Sequence, residues 1–401
     1  MKAYVADLPD GGQIKYIDKK RWFWMLSLPY ALMPFAGIIP HALTGNEWWL
    51  ALPLLLTYFV SPVLDMIIGE DQNNPPQEVI SQLEQDRYYR RITYVCVPLH
   101  FISFLGAAAY AGTQDLSALG FAALAIVTGL TSGLAINTAH ELGHKNSRIE
   151  KLLAKIALAV PAYGHFSVDH NLGHHRNVST PGDPASARMG ESIYKFARRE
   201  LPGAFLEGWA LEKDRLGRRG KSVLHPNNQI LQSFGISALL ALVLIMAFGW
   251  IMLPFILLHH AFAWWQLTSA NYIEHYGLLR QKNDAGKSER CEPHHSWNSN
   301  HVFSNLVLLH LERHSDHHTH PTRRYQSLRH YDDLPTLPTG YFGTYLLAYI
   351  PNLWFRVMDK RLMALPQVDG DLDRVNICPD ARPSLFLRWG RSKMNEPTIV
   401  L

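Results

Sequence analysis

Histidine is the over-represented chemistry of this chain, at 21 of 401 residues. Nine of them fall in four short motifs. His140 and His144 lie in NTAHELGH, and His170, His174 and His175 in HNLGHH. His275 lies in NYIEHYG, and His314, His317 and His318 in HLERHSDHH. Residues three or four apart lie above one another on a helix face, so HxxxH, HxxxHH and HxxHH each aim two or more imidazoles in one direction. Imidazole ligates zinc, copper, iron and nickel, so residue type alone does not name the metal. Nine ligands exceed one coordination sphere, since a catalytic zinc uses three and a water. Two metals sharing them is the simplest arrangement. The segment His140-Glu-Leu-Gly-His144 also matches the HExxH of a zinc metalloprotease, but that reading leaves HNLGHH, HSDHH and His275 without a role.

Other residue types narrow the chemistry. Cys96, Cys291 and Cys378 are far apart and form no CxxC pair, which argues against a disulfide scaffold or a Cys-ligated metal. A net charge of +4 is too small to point to nucleic acid. The chain carries no dinucleotide fingerprint, so haem, flavin and nicotinamide nucleotides are not expected in it and electrons must come from outside. Among the remaining histidines, His100, His259 and His260 sit in apolar runs and default to structural roles, as do His41 and His225. The polar loop bearing His294, His295 and His301 is a candidate to support the ligands from behind. His310, four residues before His314, is expected behind the metal rather than on it, and His165 is similarly placed.

The elements that must position these motifs emerge from where charge is missing. Residues 22–46, 48–64, 92–114 and 116–140 contain no Asp, Glu, Lys or Arg. Each is close to the roughly 20 apolar residues that cross a bilayer as a helix. Residues 222–273 are also uncharged. At 1.5 Å per residue they would make about 78 Å of helix, enough for two crossings of about 30 Å with a turn near 249–254. The prediction is an all-α integral membrane protein with six transmembrane helices in three hairpins. Every Lys and Arg falls on one side, so the positive-inside rule places both termini in the cytoplasm, with all four His motifs at that edge. Leu334–Phe355 is uncharged but broken by Pro and Gly, and reads as a segment lying at the interface. A charged 21-residue arm before a long first run argues against a cleavable signal peptide. The expected organisation is a cytoplasmic arm 1–21, helices one to four in 22–140, a cytoplasmic region 141–228, helices five and six in 229–275, and a cytoplasmic region 276–401. The metal-bearing cap is thus cytoplasmic and helical.

NTAHELGH, HNLGHHRNVSTPGDPAS, LTSANYIEHYGLLRQ and LERHSDHHTHP together resemble the signature regions of the bacterial membrane alkane 1-monooxygenases (alkane hydroxylases). The likeness runs from about Tyr16 to about Asp369, and NYIEHYG is what selects this branch of the wider membrane desaturase and hydroxylase superfamily. The resemblance implies terminal hydroxylation of medium-chain n-alkanes to 1-alkanols. It implies O2 as co-substrate, two non-haem irons held by His140, His144, His170, His174, His175, His275, His314, His317 and His318, and electrons from rubredoxin with its reductase upstream. Neutral imidazoles leave the metal charge uncompensated, so nearby acids should orient them; Glu141, Asp169, Asp183, Glu274 and Asp316 are the candidates, with His310. An alkane offers only apolar surface, at about 0.8 kcal/mol per CH2 buried, and reaches the protein through membrane lipid. Thr57, Tyr58 and Ser61 above Asp65, and Thr131 and Leu134 above His140, are the candidate channel residues. Residues 195–221 carry eight Lys/Arg against four Asp/Glu. Arg198, Arg199, Arg218 and Arg219 read either as a docking surface for the electron donor or as positive-inside topology beside lipid headgroups. The alternatives are a fatty-acyl desaturase or hydroxylase, which should present a basic pocket near the metals, and a non-catalytic metal carrier, whose ligands should cross the membrane.

Overall fold

The computed structural model describes residues 2–390 and is predominantly helical. It opens on an element outside the all-α expectation. Strands β1 (Ala3–Asp7) and β2 (Gln13–Ile17) pair antiparallel, Ala3 opposite Ile17 and Asp7 opposite Gln13. The turn between them needs Gly11 at φ +85°, a conformation glycine adopts without steric cost. The Tyr4 hydroxyl donates to Asp86 at 2.7 Å, which fastens this hairpin to the helix that Asp86 caps.

The first apolar run is not one straight helix. Helix α1 (Phe23–Tyr30) and helix α2 (Met33–Thr44) meet at a 57° bend. Pro34 explains the break, because its ring clashes with the carbonyl four residues earlier and it has no N–H to donate. Gly45, at φ +71°, ends α2, and helix α3 (Glu47–Ile68) returns. Within α3, residues Leu56–Val60 form a π turn. Helix α4 (Arg87–Thr113) is capped by Asp86, whose carboxylate accepts the Tyr88 amide at 2.9 Å. Helix α5 (Ala118–Gly143) is capped by Ser117. Ser117 also donates its amide to Glu47 at 2.7 Å, so two turns at the end remote from the His motifs are tied together.

Below α5 the chain forms helix α6 (Arg148–Ala159), the helical segment α7 (166–177) and helix α8 (Ile193–Gly217). Helices α9 (Gln229–Phe248) and α10 (Met252–His275) follow, separated by Gly249 at φ +82°. The last His motif forms helix α11 (His314–Thr319), with helices α12 (Tyr341–Ala348) and α13 (Pro351–Met363) beyond it. Neither α12 nor α13 is long enough to cross a bilayer.

Among the described residues, α3, α4, α5 and α9 are long and apolar enough to cross a membrane, and the bent α1–α2 pair makes a fifth. Helix α10 has the length but not the hydropathy of the other four. It carries His259, Gln266, Thr268, Ser269 and Asn271, all buried, because it runs through the middle of the bundle rather than along its lipid face. Its closest neighbour is α5. A Cβ on Gly129 would meet the His259 carbonyl oxygen at 2.4 Å, so only glycine allows that approach. One core fills the bundle around Phe104, Leu124 and Phe255. A second packs Tyr272, Trp297, Tyr341 and Trp354 at the ends of the helices that carry the His motifs.

Candidate metal centre

All nine motif histidines converge, and they divide unequally. His140, His144, His170, His175 and His317 bring their ring nitrogens within 4.8 Å of one another, and so do His174, His275, His314 and His318. The ligands come from α5, α7, the end of α10, and α11. The π turn His170–His174 widens the spacing in HNLGHH, so that His174 serves one cluster while His170 and His175 serve the other. The clusters share a wall, where the rings of His175 and His318 stack at 4.3 Å.

The nitrogen geometry calls for cations. His317 Nε2 lies 2.8 Å from His140 Nε2 and 3.1 Å from His175 Nε2, which is itself 3.1 Å from His170 Nε2. In the smaller cluster His314 Nε2 lies 3.2 Å from His275 Nε2 and 2.9 Å from His318 Nε2. Each imidazole nitrogen offers one proton or one lone pair, so these contacts cannot all be hydrogen bonds. His144 Nε2 and His174 Nε2 are buried without any partner. Burial holds His170, His175, His314, His317 and His318 well below the ordinary imidazole range, which leaves neutral rings with lone pairs free. A metal ion at each centre, bound at about 2.0–2.1 Å per nitrogen, satisfies all of them, and an all-imidazole donor set suits iron, zinc, copper or nickel.

The supporting groups are partly those expected. Asp183 accepts a 2.9 Å hydrogen bond from His174 Nδ1 and another from Ser186 Oγ at 2.6 Å. Burial alone would raise the Asp183 carboxyl, but His174 and Ser186 hold it below its ordinary value. Glu274 Oε2 lies 3.4 Å from His314 Nε2, and its other oxygen accepts the Tyr341 hydroxyl at 3.0 Å. Asp169 is buried beside the π turn, its Oδ1 without a partner. Burial, then repulsion from Asp183, Glu207 and Glu200, drives it far above the carboxylate range.

Glu141, Asp316 and His310 are directed elsewhere. Glu141 pairs with Lys145 at 3.1 Å and accepts the Tyr325 amide. It therefore does not face the imidazoles as the general base of an HExxH hydrolase would. Asp316 collects Arg323 at 2.6 Å, Tyr331, His320 and the Arg329 amide. His310 bonds the Tyr325 carbonyl at 2.9 Å and packs edge-on against Trp24. Each is next to, or one turn from, a ligand in sequence, yet points off the ligand face. The loop bearing His295, a candidate from sequence, meets His275 through its backbone, the His295 carbonyl lying 3.2 Å from His275 Nδ1, and sequence reading missed the buried Glu312, which accepts the Tyr341 amide at 2.9 Å. Loop carbonyls leave no trace in residue types, whereas Glu312 inside HLERHSDHH was available to be noticed.

A narrow cavity runs from the histidine clusters into the bundle. His140, His170 and His314 line it, and so do Thr57, Thr131 and Leu134. Tyr58 and Ser61 do not line it. The π turn in α3 rotates them behind the wall, where the Tyr58 hydroxyl accepts from Gln266 at 2.7 Å and Ser61 Oγ bonds the Tyr30 hydroxyl at 2.5 Å. Gln266 and Tyr30 line the cavity in their place. Of the four arginines, Arg198, Arg218 and Arg219 are exposed. Arg199 is not available for docking. Its guanidinium donates to Glu191 at 2.9–3.0 Å and to the carbonyls of Pro184 and Ser186, and so braces the loop that presents Asp183.

This combination of apolar helices and a histidine-rich centre at their ends has counterparts among known proteins. The family model described as fatty acid desaturase matches residues 116–347, a span that contains every one of the nine ligand candidates. Among curated proteins, the alkane 1-monooxygenase of Ectopseudomonas oleovorans is 52% identical over 94% of this chain and 94% of its own length. Alkane 1-monooxygenase 1 of Alcanivorax borkumensis is 50% identical over 95% and 94%. The alkane 1-monooxygenase of Pseudomonas putida is 53% identical over 90% of each chain. The chain belongs to the alkane 1-monooxygenase family.

Proposed function

We propose that this protein is a bacterial inner-membrane enzyme that hydroxylates the terminal methyl of medium-chain n-alkanes, consuming O2, two electrons and two protons and releasing a 1-alkanol and water. The observation that carries the reading is the cavity whose apolar walls end on His140, His170 and His314. A free alkane has no polar handle, so walls such as Leu130, Leu134 and Leu267 supply its binding by apolar burial. No Lys or Arg lines this cavity, so the carboxylate of a fatty acid would find no countercharge there, which favours a hydrocarbon over a fatty-acyl substrate.

Two irons held five-and-four by the nine histidines would supply the oxygen activation. The chain's own residues do the rest. Asp183 and the His295 carbonyl fix the tautomers of His174 and His275 and so aim their Nε2 atoms inward. Thr57, Thr131 and the leucines seat the alkane so that only its methyl end reaches the histidine end of the cavity, and the mainly apolar walls disfavour water there. Counting the α1–α2 pair and α10, the chain crosses the membrane six times with both termini cytoplasmic. Reduced rubredoxin, itself reduced by its reductase, delivers the electrons from that side.

The test is turnover of octane by purified, iron-loaded protein with rubredoxin, its reductase and NADH, followed by gas chromatography. Accumulation of 1-octanol, abolished in His140→Ala and His314→Ala with helical content unchanged, is the expected result. No alcohol from protein that carries about two reducible irons per chain would overturn the reading.

A further inference from the structure

Helix α8 lies outside the candidate spans yet presents an apolar stripe to its surroundings. Arg198, Leu206, Ala210 and Lys213 follow one another on its exposed face, with Leu206 63% exposed. About 22 Å separates the two cations along the axis. The helix packs beside the cytoplasmic half of α10, where Glu200 accepts from Thr268 at 2.8 Å and Asn271 at 3.1 Å. Its far end is locked to the start of α9. Glu212 accepts Arg215 twice at 2.6 Å and the Gln229 amide at 2.7 Å, while Arg215 also donates to the Asn227 carbonyl. Glu212 and Arg215 are therefore committed to each other and to the α9 terminus. Past them, Lys213, Arg218, Lys221 and Ser222 surround one open pocket whose only acid is Asp214. Leu224, 72% exposed, follows directly, five residues before the span begins.

An exposed apolar stripe flanked by cations, fixed at the foot of a membrane span, has the pattern of a helix lying in the headgroup region. Basic pockets beside such spans recognise anionic headgroups. We propose that α8 lies along the cytoplasmic leaflet and that Lys213, Arg218 and Lys221 form a binding site for the phosphate of an anionic phospholipid, with Leu206 and Leu224 against its acyl chains. The site braces the helix that carries Glu200 and Arg199, and so steadies the centre from outside. It rests on the reading of α9 as a span with a cytoplasmic start.

Purified full-length protein in detergent is titrated with phosphatidylglycerol, phosphatidylcholine or inorganic phosphate, and bound lipid is counted by native mass spectrometry. Phosphatidylglycerol should be retained preferentially. The triple variant Lys213→Ala, Arg218→Ala, Lys221→Ala should weaken that retention about a hundredfold, while Arg219→Ala, outside the pocket, should leave it unchanged. Equal retention of the two lipids, equal loss in Arg219→Ala, or displacement of the lipid by millimolar inorganic phosphate would overturn the proposal. So would a triple variant with an unchanged lipid count and a raised KM for reduced rubredoxin, which would make the patch a carrier dock. Labelling of Arg219→Cys, in a Cys291→Ser background, by membrane-impermeant thiol reagents in inverted and right-side-out vesicles reports the topology separately, so a misplaced span and an absent lipid site give different results.

Discussion

At the scale of single residues, the histidines that cluster were legible because their information is local. HxxxH and HxxHH place imidazoles on one face whatever surrounds them. The acids behind them were less so. Asp183 was named and does hold His174, whereas Glu141 and Asp316 adjoin ligands along the chain and are therefore turned about 100° away from them on the helix. Asp183→Asn should lower metal affinity 10- to 100-fold in the four-histidine cluster and spare the five-histidine one. After dialysis against a chelator, elemental analysis should then find about one metal per chain instead of two. Glu200 carries a different signature. Burial raises its carboxyl to about 7, the Thr268 and Asn271 hydrogen bonds offsetting only part of the effect. Below about pH 4.5 the folded and unfolded chains both hold this proton. As pH rises through 7 the unfolded chain has lost it first, so this group's contribution to stability falls, on the order of 3 kcal/mol in all. Glu200→Gln should therefore gain thermal stability relative to the parent at pH 8 but not at pH 4.5. A gap that does not change with pH would mean Glu200 is ionised in the folded protein.

At the scale of elements, the apolar runs located the helices but not their irregularities. The bend between α1 and α2 and the π turns in α3 and α7 depend on proline sterics and tertiary packing, and they decide which side chains reach the cavity and which cluster each histidine joins. Two substitutions probe these elements. Thr57→Trp puts an indole where a small side chain now lines the cavity, and it should shorten the longest alkane hydroxylated, measured from product distributions across a chain-length series. An unchanged range would remove Thr57 from the substrate path. Gly129→Ala forces a methyl group against the His259 carbonyl and should part α5 from α10. The expected cost is about 1–3 kcal/mol, read as a lower unfolding temperature, with a loss of bound metal because His140 and His275 ride on those two helices.

At the scale of the whole molecule, charge segregation along the chain foretold a membrane bundle with its chemistry at one end. It could not foretell the five-to-four division, which arises only when four segments distant in sequence meet. The N-terminal hairpin escaped notice because ten residues of strand pairing leave little periodicity beside the long apolar runs. Since the clustered histidines belong to four separate segments, metals held by them would act as cross-links, and a ligand that binds the folded state alone stabilises it. Stripping them with a chelator should lower the unfolding temperature by several degrees, and restoring iron should recover it. An unchanged transition would mean that the cap holds its shape without metal.

The same division sets a timetable for manufacture. One cluster waits for His317 and the other for His314 and His318, so neither can close until the ribosome has passed those residues. By then α5, with two of these imidazoles, and α7, with three, have long been exposed. This order predicts that the ion captured depends on the divalent metal in supply when α11 emerges. A nascent chain arrested before residue 314 should insert its helices yet release metal readily, and tight retention by that fragment would count against this order of events.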